Sequence, residues 1–222
     1  MLKFLGIGGY DSFELKANSA YYKLNDGLIL IDCGDTTFRE LVKEGLDYVK
    51  DIYIVITHLH NDHAGSLDSL VYYCINKLKI TPKIVYPNIK AIKKYMQLVG
   101  NNQDSCIFFK EISSSNLIIK PFKQKHLIEG YGYYLTINEK KIYYSGDGSK
   151  IIKSAIKELI KGKIDYFFQE VAPGEVEGHF NIYTLADLIS KKNRFKIICM
   201  HFSNQELIET AKNLGFSIAE ID

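Results

Sequence analysis

The sequence predicts an α/β (α+β) fold built as a four-layer αββα sandwich, and two repeated patterns carry that prediction. Residues 19–36 and 131–149 each consist of a strand, a polar turn and a second strand, followed by Gly-Asp. A helical pattern and a further apolar strand follow each unit, with those strands at 51–57 and 164–171. Two β-rich halves with helices outside them suggest a sandwich whose strand ends converge on one edge.

Local sequence patterns predict the turns, the last strand and the helices. Asn25-Asp26-Gly27 and Asn138-Glu139-Lys140 are typical hairpin turns between strands of alternating apolar residues. A last strand is predicted to start at Phe195. Apolar residues at helical spacing predict five helices, the last ended by Gly215, at 65–79, 88–99, 149–161, 182–191 and 205–214.

Length and composition are typical of a globular protein. The 222 residues, 46% of them hydrophobic, predict a single domain over 1–222 with two related halves, about 1–120 and 121–222. No stretch reaches the roughly 20 apolar residues of a membrane span, and the N-terminus turns polar too soon for a secretion signal. The four cysteines lie far apart, which favours reduced, buried thiols and a cytoplasmic location.

The charge of the chain argues against a general affinity for long nucleic acids. The net charge is +2, and the only arginines are Arg39 and Arg194. Bidentate arginine contacts to phosphate are therefore scarce. An anionic substrate would need lysines, backbone amides or metal ions to hold it.

The densest chemical feature is the segment THLHNDHAGS at 57–66, which contains three of the six histidines. His58 and His60 alternate beyond a predicted strand, so they point the same way and can hold one cation together. Asp62 and His63 follow in the turn before a helix, where they can face a second ion. A polar turn that is merely rich in histidine is the alternative, and this crowding disfavours it.

The HxHxDH motif at 58–63 resembles the ligand motif of the metallo-β-lactamase fold superfamily of metal-dependent hydrolases, and nearly the full chain supports the likeness. The resemblance implies His126 as the third ligand of the first ion, Asp147 as a bridging carboxylate and His201 as the last ligand of the second. It also implies that Asp32 lies behind the ligands and orients them. Each residue also has a structural alternative: His126 could lie in a solvated loop, Asp147 and Asp32 in turns, and His201 in the core.

This ligand set implies two divalent ions and a hydrolytic reaction. The ligands divide around Asp147 into His58, His60 and His126 for one ion, and Asp62, His63 and His201 for the other. Zinc suits the imidazole-rich set, with manganese or iron as alternatives. Two ions about 4 Å apart can share a water and lower its pKa from about 15.7 towards about 7, so a bridging hydroxide is the predicted nucleophile.

The segment after Asp147 resembles the ribonuclease Z-like branch of the superfamily, where His-Glu-Ala-Thr precedes Gly-His-Ser-Thr. The corresponding residues here are 169–172 and 178–181. This chain departs from that pattern, because Gln169 replaces a histidine and Phe180-Asn181 replace Ser-Thr. The likeness still favours phosphodiesters as substrates.

Two residues of this segment are implied in the chemistry. In the branch, the pair that corresponds to Glu170 and His179 acts near the scissile phosphate, where it orients and supplies an acid. The resemblance therefore implies that His179 protonates the leaving oxygen. The predicted catalytic residues are Asp62, Glu170 and His179. A helix start at His179 with Asn181 as its cap is the structural alternative.

The spacing between two predicted ligands limits the size of the substrate. Ribonuclease Z proteins that process precursor tRNA carry a long arm between the third histidine and the bridging aspartate, but Asp147 follows His126 by only 21 positions. Armless relatives in the branch cleave cyclic nucleotides, including cyclic pyrimidine signals. The resemblance therefore implies a small phosphodiester or nucleotide substrate and, from relatives that pair, a homodimer.

Three other functions stay open at this point. An arm-independent tRNA 3′-processing endonuclease would cleave precursor tRNA. An ester, lactone or thioester hydrolase would turn over its substrate without needing His179. A non-catalytic metal-binding module would bind ions without any turnover.

Overall fold

The computed structural model describes residues 1–221, whose strands form two sheets. The first sheet has six strands in chain order: β1 (Lys3–Gly6), β2 (Ser19–Lys23), β3 (Gly27–Ile31), β4 (Asp51–Val55), β5 (Lys83–Val85) and β6 (Ile107–Phe109). The second sheet has seven strands, which also lie side by side in chain order: β7 (Ile112–Ser113), β8 (Leu117–Lys123), β9 (Tyr131–Ile137), β10 (Lys140–Tyr144), β11 (Tyr166–Glu170), β12 (Ile197–Met200) and β13 (Ser217–Ile218). The chain passes from the first sheet to the second between Phe109 and Ile112, and its organisation as one domain of two related halves stays a prediction.

The helices cover the outer faces of the two sheets. They are α1 (Thr37–Lys43), α2 (Asn61–Ala64), α3 (Leu67–Tyr73), α4 (Ile89–Leu98), α5 (Lys153–Ile160), α6 (Ile182–Leu188) and α7 (Gln205–Asn213). Apolar residues of α1, α3 and α4 pack on the first sheet, and those of α5, α6 and α7 pack on the second. The predicted four-layer αββα sandwich is therefore confirmed.

Strand β3 illustrates why the two sheets lie in the middle. Its sequence GLILI is apolar throughout and buried along its whole length, as expected for a strand covered on both faces. Leu28 and Leu30 pack towards the helices, whereas Ile29 and Ile31 pack towards the second sheet. Tyr133 and Phe168 belong to the same core as these isoleucines.

Both predicted hairpins are present, since β2 pairs with β3 and β9 pairs with β10 in antiparallel register. Asn138 and Glu139 have φ values of 48° and 67°, which are typical of the type I′ turn. That turn matches the twist of its two strands. The four cysteines are free and buried, as predicted.

Some predicted boundaries were wrong. The helix predicted from 149 begins only at Lys153, because the Ser149 backbone N–H donates to the carbonyl of Lys125 in the preceding loop. The strand predicted from Phe195 begins at Ile197, because residues 191–196 form a 3-10 turn. The Arg194 guanidinium stabilises that turn by donating to the carbonyls of Ile189, Ala186 and Leu214.

The carboxyl ends of five strands meet at one edge of the sandwich. Strands β3 and β4 are parallel in the first sheet, and β10, β11 and β12 are parallel in the second. Residues that directly follow these strands are therefore brought together. Within residues 1–221, no helix is long and apolar enough to cross a membrane.

Tyr133 on β9 joins the two sheets through a buried hydrogen bond. Its hydroxyl donates to the carbonyl of Ile56, just beyond β4, over 2.8 Å. We expect Tyr133→Phe to lower the free energy of unfolding by about 1–3 kcal/mol, because a buried carbonyl loses its donor. Urea unfolding followed by circular dichroism would measure the change. Tyr22→Phe on the partly exposed end of β2 is the matched control, and an equal effect of both substitutions would contradict the role of Tyr133.

Candidate metal centre

The seven predicted ligands converge at the edge where the strands of both sheets end. Their positions are His58 and His60 after β4, Asp62 and His63 in α2, His126 between β8 and β9, Asp147 after β10, and His201 after β12. Their donor atoms form two groups, and within each group all donor atoms lie within 4.8 Å of one another. The first group holds His58, His60 and His126, and the second holds Asp62, His63, Asp147 and His201. Their role as metal ligands stays a prediction.

The first group consists of three imidazoles. Nδ1 of His60 lies 2.9 Å from Nε2 of His58 and 3.2 Å from Nε2 of His126. Burial lowers the pKa of all three histidines, most strongly for the completely buried His58. They are therefore neutral at neutral pH, which is the form of imidazole that binds a metal ion.

The second group combines two imidazoles with two carboxylates and is buried. Nε2 of His63 lies 3.2 Å from Oδ2 of Asp62 and 3.3 Å from Oδ2 of Asp147. Nε2 of His201 lies 3.4 Å and 3.2 Å from the same two oxygens. Nitrogen and oxygen donors in this combination suit a divalent ion such as zinc.

Asp147 lies between the two groups. Its Oδ2 faces His63 and His201 and is also 3.9 Å from Nε2 of His58 in the first group. Its Oδ1 is buried and has no hydrogen-bond partner within the described part of the chain. A buried carboxylate oxygen needs a donor or a cation, so the residues around Asp147 fit a bound metal ion.

Asp32 lies directly behind this cluster. Its Oδ2 is 2.9 Å from Nδ1 of His63, and its Oδ1 accepts a 2.8 Å hydrogen bond from the Thr57 backbone N–H. The Thr57 hydroxyl also donates to the Asp32 carboxylate. Asp32 therefore turns Nε2 of His63 towards the second group, and Thr57, which sequence reasoning missed, holds Asp32 in place. Its only sequence signal was its position at the strand end, directly before His58.

We expect Asp32→Asn to weaken metal binding about 10- to 100-fold, because an amide nitrogen cannot accept a hydrogen bond from His63. The backbone at Asp32 has a φ of 62°, and asparagine tolerates this left-handed conformation, so the loop should keep its shape. Competition with a chromogenic chelator would measure zinc affinity. The exposed Asp35→Asn is the control, and unchanged affinity in Asp32→Asn would refute the orienting role.

Glu170 and His179 form a second predicted pair beside the ligands. The buried Glu170 accepts hydrogen bonds from the backbone N–H groups of Gly148 and Phe180, at 3.1 and 2.8 Å. Its Oε2 lies 3.3 Å from Nδ1 of His179. Burial on its own lowers the pKa of His179, but the hydrogen bond and charge of Glu170 outweigh it and raise that pKa to about 8. Asn181 caps the N-terminus of α6, as predicted by the alternative in which His179 only starts a helix. His179 nevertheless also lines the cavity beside the ligands.

A cavity of about 740 Å³ opens above the cluster. His60, Asp62, Asp147, His179 and His201 line it, and its remaining walls include exposed apolar side chains. Within the described chain, no lysine or arginine lines this cavity. The volume lies in the range that small-molecule sites usually occupy.

Comparisons with known proteins agree with this geometry. The family model for anti-Pycsar protein Apyc1 matches residues 1–94. The anti-Pycsar protein Apyc1 of Paenibacillus sp. (strain J14) is 35% identical over 228 residues, which cover 91% of this chain and 89% of that protein. Ribonuclease Z of Sulfolobus acidocaldarius is 24% identical over 143 residues. This match covers 62% of this chain and 48% of that protein, which is about half of its length.

Solved structures confirm the fold. A diphosphatase from the PhnP family superimposes with a TM-score of 0.74 at 17% identity, covering 99% of this chain and 94% of that one. The metallo-β-lactamase fold protein YhfI from Bacillus subtilis gives a TM-score of 0.70 at 16% identity, with 98% and 94% covered. The predicted metallo-β-lactamase fold is therefore correct.

Proposed function

We propose that this chain, which belongs to the anti-Pycsar protein Apyc1 family, is a metal-dependent phosphodiesterase. Its proposed substrates are cyclic nucleotides or similarly small nucleotide diesters. The observation that carries the proposal is the position of His179. This histidine, held by Glu170, lines the same cavity as the metal-ligand cluster. A proton donor beside such a cluster suits the cleavage of a bond whose leaving group is an alkoxide.

The proposed mechanism assigns separate tasks to the side chains. Two divalent ions held by the seven ligands would supply a water activated at neutral pH and would offset charge on the phosphate oxygens. His179 transfers its proton to the leaving ribose oxygen, and Glu170 keeps the ring oriented and stabilises its charged form. Asp32 fixes the orientation of His63 and so keeps the second ligand group in place.

The charge of the cavity favours a diester over a monoester. The lining residues that the structure describes include Asp11, Asp62 and Asp147 and no lysine or arginine, so the protonated His179 is the cation that faces the substrate. A phosphodiester carries one negative charge, whereas the monoester product carries close to two at neutral pH. Without arginine or lysine to hold it, the more highly charged product is bound less well, which favours its release.

The short connection between His126 and Asp147 supports a small substrate. Strands β9 and β10 occupy most of this interval as a plain hairpin. An arm that grips the body of a tRNA has no place in it. The cavity volume of about 740 Å³ is sufficient for a nucleotide.

Zinc is the proposed metal, because five of the seven ligands are imidazoles, with manganese or iron as the alternatives. A cytoplasmic location and a homodimer remain part of the proposal. Both rest on the sequence-based arguments, and light scattering would test the second.

Hydrolysis assays with chelated and reconstituted protein would test the proposed function. We expect cyclic CMP and cyclic AMP to be hydrolysed after addition of zinc or manganese, and precursor tRNA to stay intact. Cleavage of precursor tRNA without turnover of cyclic nucleotides would favour the endonuclease alternative. Turnover of esters, lactones or thioesters alone would favour a carbonyl hydrolase, and metal binding without any turnover would favour a binding module.

A further inference from the structure

An exposed aromatic ring stands at the wall of the metal-site cavity. Tyr10 lines this cavity, yet 82% of its surface is exposed. Leu127 and Val176, which line the same cavity, are also exposed, at 59% and 45%. Three exposed apolar side chains around one opening are unusual for a purely structural surface and indicate a contact with a ligand.

The backbone on both sides of Tyr10 is fixed to the segment that carries a metal ligand. The Gly9 N–H donates to the carbonyl of Phe202 over 2.9 Å, and a Cβ at Gly9 would lie 3.0 Å from Cε1 of His201. The Ser12 hydroxyl donates to the carbonyl of Ser203. Tyr10 is therefore held next to His201, and ordering its ring on a ligand restricts only two side-chain torsions.

The aliphatic part of the opening is attached to the other ligand group. Leu127 directly follows His126, whose Nδ1 lies 2.7 Å from the carbonyl of Gly178. A Cβ at Gly178 would lie 3.2 Å from Cγ of Leu127, so these two loops pack closely. Val176 lies in the second of these loops. Tyr10 is thus held beside the segment that carries His201, whereas the aliphatic pair lies beside His126.

This arrangement matches the shape of a nucleotide. Its phosphate would lie at the metal ligands, and its ribose would carry the base outwards to the opening. Aromatic side chains bind bases by stacking, and this interaction tolerates any base because every base has a flat π-face. Aliphatic side chains can cover the other face of the same ring.

We propose that Tyr10 stacks on the nucleobase of the substrate, with Leu127 and Val176 packing against the base from the other side of the opening. This inference rests on the proposed function and deepens it, since it assigns the base a binding surface. It makes Tyr10 a substrate-binding residue that discriminates nucleotides from phosphodiesters without a base.

The test compares two substrates with the same scissile ring, cyclic CMP and 1-methoxyribose 3′,5′-cyclic phosphate, which lacks the base. We expect the wild-type protein to prefer cyclic CMP in kcat/KM, and Tyr10→Ala to reduce this preference about tenfold or more, mainly through KM. Tyr10→Phe should retain it. Phe13→Ala is the matched control, because Phe13 is 88% exposed nearby and does not line the cavity.

Several outcomes would overturn the inference. They are an equal loss on both substrates, a wild-type protein without preference, and a Tyr10→Ala protein whose mass in light scattering differs from wild type. Titration calorimetry with the phosphorothioate analogue of cyclic CMP measures the same contact without turnover. If the protein hydrolyses no cyclic phosphate but loses analogue binding in Tyr10→Ala, the proposed function fails and the base contact stands.

Discussion

Asp147→Asn should reduce kcat for cyclic nucleotides by about 1000-fold or more and should lower the metal content of the protein. Oδ2 of Asp147 lies between the two ligand groups, and its Oδ1 is buried with no partner in the described chain. The amide removes the negative charge that both proposed ions would share, and in the proposed mechanism these ions would supply the activated water on which the reaction depends. The loss therefore exceeds what one missing hydrogen bond would cause.

Metal analysis of dialysed protein, together with cyclic CMP hydrolysis, would measure both effects. Asp165→Asn is the control, since this carboxylate pairs with Lys140 near the surface, away from the ligands. Wild-type metal content with unchanged turnover in Asp147→Asn would rule out a bridging role. Loss of fold is checked separately by circular dichroism, because Asp147 is buried.

His179→Ala should lower the rate on cyclic nucleotides about 100- to 10,000-fold, but should lower it much less on bis-p-nitrophenyl phosphate. A ribose alkoxide needs a proton in order to leave, whereas p-nitrophenolate is a stable anion that leaves without one. The pKa of about 8 keeps His179 protonated at neutral pH, so the acid is available in the wild-type protein. The difference between the two substrates isolates proton donation from binding.

Two further variants complete this experiment. Glu170→Gln should give a smaller loss with the same dependence on leaving group, because it removes the charge that stabilises protonated His179. Asn181→Ala removes the cap of α6 and should cost about 1 kcal/mol of stability without that dependence. Equal losses of His179→Ala on both substrates would argue against a general acid.

Part of the predicted ligand cluster could be found from local sequence, because four of its seven residues lie in one short, dense motif after a strand. HxHxDH placed four donors in six positions, and the likeness to a known superfamily implied the other three. The hairpins were also predictable, since polar turns such as the one at Asn138 separate clearly alternating strands. Local sequence specified the HxHxDH motif and the hairpins, whereas the other three ligands required the resemblance.

Other features depend on contacts that local sequence does not contain. A helical pattern was predicted between residues 36 and 51, but the bounds of the helix at Thr37–Lys43 were not. Strands as short as Ile112–Ser113 do not display alternation. The left-handed backbone of His201, with a φ of 61°, is imposed by the surrounding fold. Thr57 acquires its role only when Asp32, 25 positions earlier, is folded against it.

The predicted ligands are contributed by both sheets, and with metal bound this division would affect how the protein folds. His58, His60, Asp62 and His63 follow a strand of the first sheet, whereas His126, Asp147 and His201 lie in connections of the second. Neither sheet alone offers a complete set of ligands for either of the proposed ions. Uptake of these ions would therefore require the sheets to be docked, and by mass action it would make their separation less favourable. The ions would act as cross-links between the halves of the chain, so metal availability would set the lifetime of the folded protein as well as its activity.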